Sequence, residues 1–244
     1  MAGEVGDMRE AGFTTFLVDD DPAVLRAITR LLNAAGYKTK SFSSPQEFLS
    51  AHDPSIPGCA IIDLVMSELD GLHLQQALIE TGSERPIIFL TGKGDVSTSV
   101  RAMKAGAVDF LTKPVKREAL FSAVVRAAKV DALSRQRRDE SKSIGDRLAT
   151  LTHREREVLA YVIAGRLNKQ IAADLGTVEK TIKVHRSRMM AKMGVRTVAA
   201  LVRLTQKVSF PPYRPAHSFG PKANSTDRLN RAHISAYADS NRGR

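Results

Sequence analysis

Four apolar runs in the first half of the chain each stop at residues that carry chemistry. Phe16-Leu17-Val18 ends at Asp19 and Asp20, and Cys59-Ala60-Ile61-Ile62 ends at Asp63. Ile87-Ile88-Phe89-Leu90 ends at Thr91, and Val108-Asp109-Phe110-Leu111-Thr112 ends at Lys113. Short, nearly continuous apolar runs are the mark of strands buried on both faces, as in a parallel sheet. In an open α/β sheet, ligands bind just beyond the carboxyl ends of the strands. Four strand ends delivering three acids, a hydroxyl and an ammonium therefore describe one site. Its chemistry suits a divalent cation and a phosphoryl group.

Helical patterns separate the runs. Asp21-Pro22 opens a helix carrying Val24, Leu25, Ile28, Leu31 and Leu32, closed by Gly36. Pro in a first turn and Gly past the end are well placed. Tyr37 to Phe42 reads as a second strand, Pro45 to Ala51 as a short helix and Gly71 to Ile79 as another. Val96 to Ala105 is helical up to Gly106, and the last helix starts near Lys116 with Leu120, Val124, Ala127 and Leu133 facing inward. The alternation gives (βα)5, an α/β class. With the flavodoxin-like strand order 2-1-3-4-5, strands 1 and 3 lie roughly 4.8 Å apart. Asp19, Asp20 and Asp63 then crowd together, and they repel unless a cation or proton intervenes. Mg²⁺ takes oxygen ligands and keeps several waters. Lys113 offers a point charge to a phosphoryl oxygen, and the carboxylate of Asp63 is the natural nucleophile.

Charge divides the chain. Residues 1–130 carry 14 Lys/Arg against 16 Asp/Glu, whereas residues 131–244 carry 23 against 10. A near-neutral half joined to a basic half suggests two jobs, the second involving a polyanion. The expected organisation is a flexible N-terminus (1–13), an α/β domain (14–130), a polar linker with a frayed helix extension (131–147), an all-α domain (148–208) and a disordered tail (209–244). Cys59, alone of its type, cannot form an internal disulfide, which fits a reducing compartment. With no apolar run of about 18 residues, the expectation is a cytoplasmic protein and no membrane partner.

In the basic half, Thr152 followed by Glu155 forms a capping box, ahead of Val158, Leu159, Val162 and Ile163 facing a core. Gly165 ends that helix, a short one runs from Asn168 to Leu175, and a longer one from Glu179 to Met193. Helix, tight turn, helix is a DNA-binding layout. On the long helix Ile182, Met189 and Met193 share the core side. Lys180, Lys183, Val184, Ser187, Arg188 and Ala191 share the other, a mix suited to the major groove. Arg186 points more inward and is expected to pair with Glu155 or Glu157. Val178 stands where a capping residue belongs. Either Thr177 caps instead, or the helix forgoes about 1 kcal/mol.

Residues 14–129 resemble a receiver domain of a two-component response regulator. The segments that carry the likeness are Phe-Leu-Val-Asp-Asp-Asp-Pro (16–22), Ile-Ile-Asp-Leu-Val-Met (61–66), Thr-Gly-Lys-Gly-Asp-Val (91–96) and Ala-Gly-Ala-Val-Asp-Phe-Leu-Thr-Lys-Pro (105–114). Residues 148–208 resemble the LuxR-type helix-turn-helix domain of NarL/FixJ regulators, through 151–159, 165–172 and 179–193. The first resemblance implies that Asp63 accepts phosphate from a sensor histidine kinase. It implies that Asp20, Asp63 and the Val65 carbonyl bind Mg²⁺, with Asp19 acting through water. It also implies that Lys113 contacts the phosphoryl group, that Thr91 follows it while Phe110 turns inward, and that Lys113-Pro114 is cis. Asp21 is left for the helix start. The second implies that Lys183, Val184 and Ser187 approach base edges, while Lys169, Thr181, His185 and Arg188 hold phosphates.

The whole then reads as a FixJ-like transcription regulator rather than an enzyme. Its implied partners are a kinase, promoter DNA and a second copy when phosphorylated, with RNA polymerase an option. Ser67 stands where the family usually has Pro, which is expected to loosen that loop. Val65 and Gly92 are further candidates for setting the phosphate lifetime. Two other readings compete. A Mg²⁺-dependent phosphohydrolase of the haloacid dehalogenase type would carry two acids two apart on one strand end, whereas here they are adjacent. A DNA-binding regulator indifferent to phosphate would bind DNA equally with and without a phosphoryl mimic.

Overall fold

A computed structural model of the chain describes residues 12–67, 70–92, 96–208 and 210, and for 96–99 the backbone only. The expected flexible N-terminus and disordered tail lie almost wholly outside the described residues. Two compact units divide between Asp139 and Glu140.

The first unit holds strands β1 (Thr14–Val18), β2 (Lys38–Phe42), β3 (Gly58–Asp63), β4 (Ile87–Thr91) and β5 (Asp109–Thr112). They form one parallel sheet in the order β2-β1-β3-β4-β5. Between them run α1 (Pro22–Ala34), α2 (Pro45–Ala51), α3 (Gly71–Glu80) and α4 (Val96–Lys104). Alternate residues of a strand point to opposite faces, and here both faces are covered. Leu17, Ile61, Ile88, Leu90 and Leu111 pack on one side with Ile28 and Leu32 of α1 and Leu120, Ala123, Val124 and Ala127 of the last helix. Phe16, Val18, Ala60, Ile62 and Phe89 pack on the other with Phe48 of α2, Leu74 and Leu78 of α3 and Ala102 of α4. The register aligns the carboxyl ends: Val18 pairs with Ile62, Asp63 with Leu90 and Thr91 with Thr112.

After β5 comes α5, Arg117–Ala149. The segment 131–147, expected as a frayed extension and linker, is continuous α-helix. Leu133 does not face inward but is 55% exposed. The buried position one turn beyond Ala127 is taken by Asp131, which accepts from the Gly58 N–H and from Arg135. There the helix meets the start of β3 and the loop before it, where Arg135 donates to the Ser55 and Pro54 carbonyls. These backbone polar groups need partners rather than a leucine.

The second unit is helical: α6 (His153–Ile163), α7 (Asn168–Asp174), α8 (Glu179–Met193) and α9 (Val198–Gln206), preceded by the end of α5. Its core joins Val158, Leu159 and Val162 of α6, Ile171 of α7, Ile182, Met189 and Met193 of α8, Leu201 of α9 and Ile144 of α5. Thr152 and Glu155 make the expected capping box. The alternative cap at Thr177 is not used. The α8 helix begins at Glu179 with Val178 at the cap position and no side-chain bond. The Thr177 N–H bonds back to Ala172 O at the end of α7, so that residue finishes one helix instead of starting the next.

Candidate functional site

The sheet brings the acids together. Ligand oxygens of Asp19, Asp20 and Asp63 all lie within 4.8 Å of one another. Asp19 follows β1 and Asp63 closes β3, and both are buried, whereas Asp20 is exposed. The Lys113 ammonium follows β5 and lies 2.6 Å from Asp19 Oδ2 and 3.2 Å from Asp63 Oδ2. The Lys113 backbone N–H donates to Thr91 O at 2.6 Å, tying the ends of β4 and β5. The Lys113-Pro114 peptide is cis. Thr91 is fully buried, and Phe110 is partly buried against the Phe16/Phe89 face of the sheet. Asp21 stays out of the cluster and caps α1 by accepting from Ala23 N–H.

The helix after β3 is also drawn in. A Cβ on Gly71 would lie 2.6 Å from the Asp63 carbonyl oxygen and 2.9 Å from the Phe89 ring, so only glycine lets α3 start this close to the site. Between β3 and α3, Val65 is 72% exposed beside Asp63. Gly92 follows Thr91 at the surface.

Electrostatics follow from burial. Removal from water raises the Asp63 carboxyl above the ordinary carboxylate value; Lys113 opposes the rise and Asp19 adds to it. Burial alone would lower Lys113, but its bond to Asp19 and the charges of Asp63 and Asp19 raise the ammonium overall. One ammonium thus leaves Asp63 undercompensated between two acids. A hard divalent cation would relieve both the burial and the repulsion, so the donor set fits Mg²⁺.

The second unit presents a different surface. Lys180, Lys183, Ser187 and Arg188 are exposed on α8, Val184 is 43% exposed, and Thr181 and His185 are half-buried beside them. Lys169 is exposed on α7. Lys183 pairs with Glu179 one turn earlier, at 3.1 Å. Arg186 does turn inward but bonds Asn168 Oδ1 at 3.0 Å, not the expected acids. Glu155 is held by Lys192 at 2.7 Å and Glu157 by Arg154 at 3.0 Å. The Lys192 bond and the cap hold the Glu155 carboxyl down at about 2. Sequence reasoning also missed Arg147 of α5, which donates to Met193 O and so caps the end of α8 at 3.2 Å.

Comparison with known proteins agrees with these two units. Residues 15–125 match the model of the response regulator receiver domain. Residues 149–205 match that of bacterial regulatory proteins of the luxR family. The chain is 40% identical over 201 residues to response regulator protein TodT of Pseudomonas putida, covering 82% of this chain and 88% of TodT. It is 36% identical over 200 residues to transcriptional regulatory protein FixJ of Rhizobium meliloti, covering 82% of this chain and 98% of FixJ. The solved structure of response regulator StyR is similar at TM-score 0.70 and 40% identity, covering 81% of this chain and 100% of StyR. A receiver with its acidic site, followed by a LuxR-type helix-turn-helix, defines a DNA-binding transcriptional regulator of a two-component system. The chain belongs to the NarL/FixJ family of response regulators. Among the described residues, no helix is long and apolar enough to cross a membrane.

Proposed function

We propose that Asp63 is the phosphoacceptor and that its phosphorylation by a sensor histidine kinase controls how the second unit binds promoter DNA. The observation that carries this is the Lys113 ammonium lying between the Asp19 and Asp63 carboxylates at the strand ends. An Asp63 oxygen attacks the phosphorus of the phosphohistidine, the P–N bond breaks, and its electron pair stays on the donor imidazole. Asp20, Asp63 and the Val65 carbonyl would hold Mg²⁺, with Asp19 acting through water. The cation supplies positive charge to the incoming phosphoryl oxygens. Lys113 then moves its donors from the carboxylates to a phosphoryl oxygen. Thr91 hydrogen-bonds another oxygen, and Phe110 turns further into the space it leaves.

These shifts reshape β5 and α4, where Val100 and Met103 are about half exposed. Receivers pair there as a homodimer, and pairing two weak DNA modules raises affinity through effective concentration. On DNA, Lys183, Val184 and Ser187 meet base edges, while Lys169, Thr181, His185 and Arg188 hold phosphates, with Lys180 on the same face. RNA polymerase is a further partner in this reading, the compartment is the cytoplasm, and the protein regulates rather than turns over a substrate.

The test is phosphoryl uptake from acetyl phosphate with Mg²⁺. Wild type should take up one phosphoryl group and Asp63→Asn none. Uptake retained by Asp63→Asn would move the acceptor elsewhere.

A further inference from the structure

Ser67 was expected to loosen the loop after β3. The loop is instead tied: the Ser67 backbone N–H donates to Asp20 Oδ2 at 2.9 Å. Proline has no N–H, so this bond exists only because position 67 is not proline.

The bond falls on the acid that most needs one. Asp19 is fixed by Lys113 and by the Asp21 N–H, and Asp63 by Lys113. Asp20 alone of the three is exposed. A solvent-exposed carboxylate samples several rotamers, and a cation must order it on binding. The bond also joins the end of β1 to the segment that carries the Val65 carbonyl, so it constrains two of the proposed cation donors together.

We propose that the Ser67 backbone amide is a positioning group for the divalent cation, holding Asp20 in its ligating orientation before the cation arrives. The proposal rests on the reading of Asp20 as a Mg²⁺ ligand. Groups that bond to metal ligands fix their orientation, and losing one typically costs ~10–100-fold in affinity. The Ser67 hydroxyl takes no part, which separates this role from one in side-chain packing.

The experiment is isothermal titration of the full chain with Mg²⁺ for wild type, Ser67→Ala and Ser67→Pro. Alanine keeps the amide and should bind as wild type. Proline removes it and should bind about tenfold more weakly. Equal affinity for all three overturns the proposal, as does an equal loss in both variants. Absence of Mg²⁺ binding by wild type would instead sink the metal reading itself, and this proposal with it. A second measurement covers a Ser67→Pro chain that fails to fold. In Mg²⁺-free buffer the Ser67 amide of wild type should exchange its hydrogen more slowly than in Asp20→Ala, and equal exchange overturns the proposal.

Discussion

The receiver site and the α8 face proposed to meet DNA hold their residues in opposite ways. Asp19, Asp63 and Thr91 are buried at the ends of parallel strands, with the Lys113 ammonium between the two acids. Lys180, Lys183, Ser187 and Arg188 stand in solvent on a single helix, and Lys183 pairs with a neighbour one turn away. A group that must form a bond to phosphorus is assembled in advance, at a cost in buried charge. The face of α8 proposed to meet DNA keeps its donors in solvent, where even the Lys183–Glu179 pair is exposed and easily exchanged for a partner.

The largest expected contrast lies in the two lysines. Lys113→Met leaves two buried acids without their counter-charge and should lower receiver stability by about 3 kcal/mol or more at pH 7 without Mg²⁺. Urea unfolding measures this. The loss should shrink as pH falls, because the Asp63 carboxyl is raised by burial and takes a proton before an ordinary carboxylate does. Once neutral, it no longer repels Asp19. A loss below about 1 kcal/mol would place this pair with surface ion pairs and erase the contrast.

Lys183→Ala should change stability by no more than about 0.5 kcal/mol, since both it and Glu179 are well exposed. Its effect belongs on DNA, as about 1–3 kcal/mol of lost discrimination at one or two base positions. Lys169→Ala should weaken every sequence alike and flatten the salt slope by about one. Quantitative binding to a panel of operator variants separates the two, and swapped outcomes would overturn the groove assignment. The last effect is a gain. Val178→Ser supplies the missing cap of α8 and should stabilise the second unit by about 1 kcal/mol in a thermal melt.

What could be read in advance follows the same division. The strands and the residues that end them were legible because each functional residue ends an apolar run. The strand order came from the flavodoxin-like fold, and with that order, which the sheet has, the acids converge. The core side of α8 was legible from Ile182, Met189 and Met193 for a similar reason. Long-range polar pairings were not. Arg186 bonds Asn168 rather than Glu155, because Lys192 already holds that acid from the same helix. Arg147 caps α8 from a helix that ends 30 residues before α8 begins, between Ala149 and Glu179. Asp131 takes a buried place, while Leu133 is exposed, because the Gly58 N–H at the start of β3 needs an acceptor there. Periodicity names the face a residue lies on but not its partner across the fold. The Ser67 bond to Asp20 joins residues 47 apart and belongs to the same class.

Operator affinity of the full chain, measured with Mg²⁺ in the presence and absence of beryllofluoride, tests most directly whether the acidic site governs the basic one. Wild type should bind more tightly with the mimic, and Asp63→Asn should not respond. Equal affinity in both conditions would mean that the second unit grips DNA without regard to the receiver.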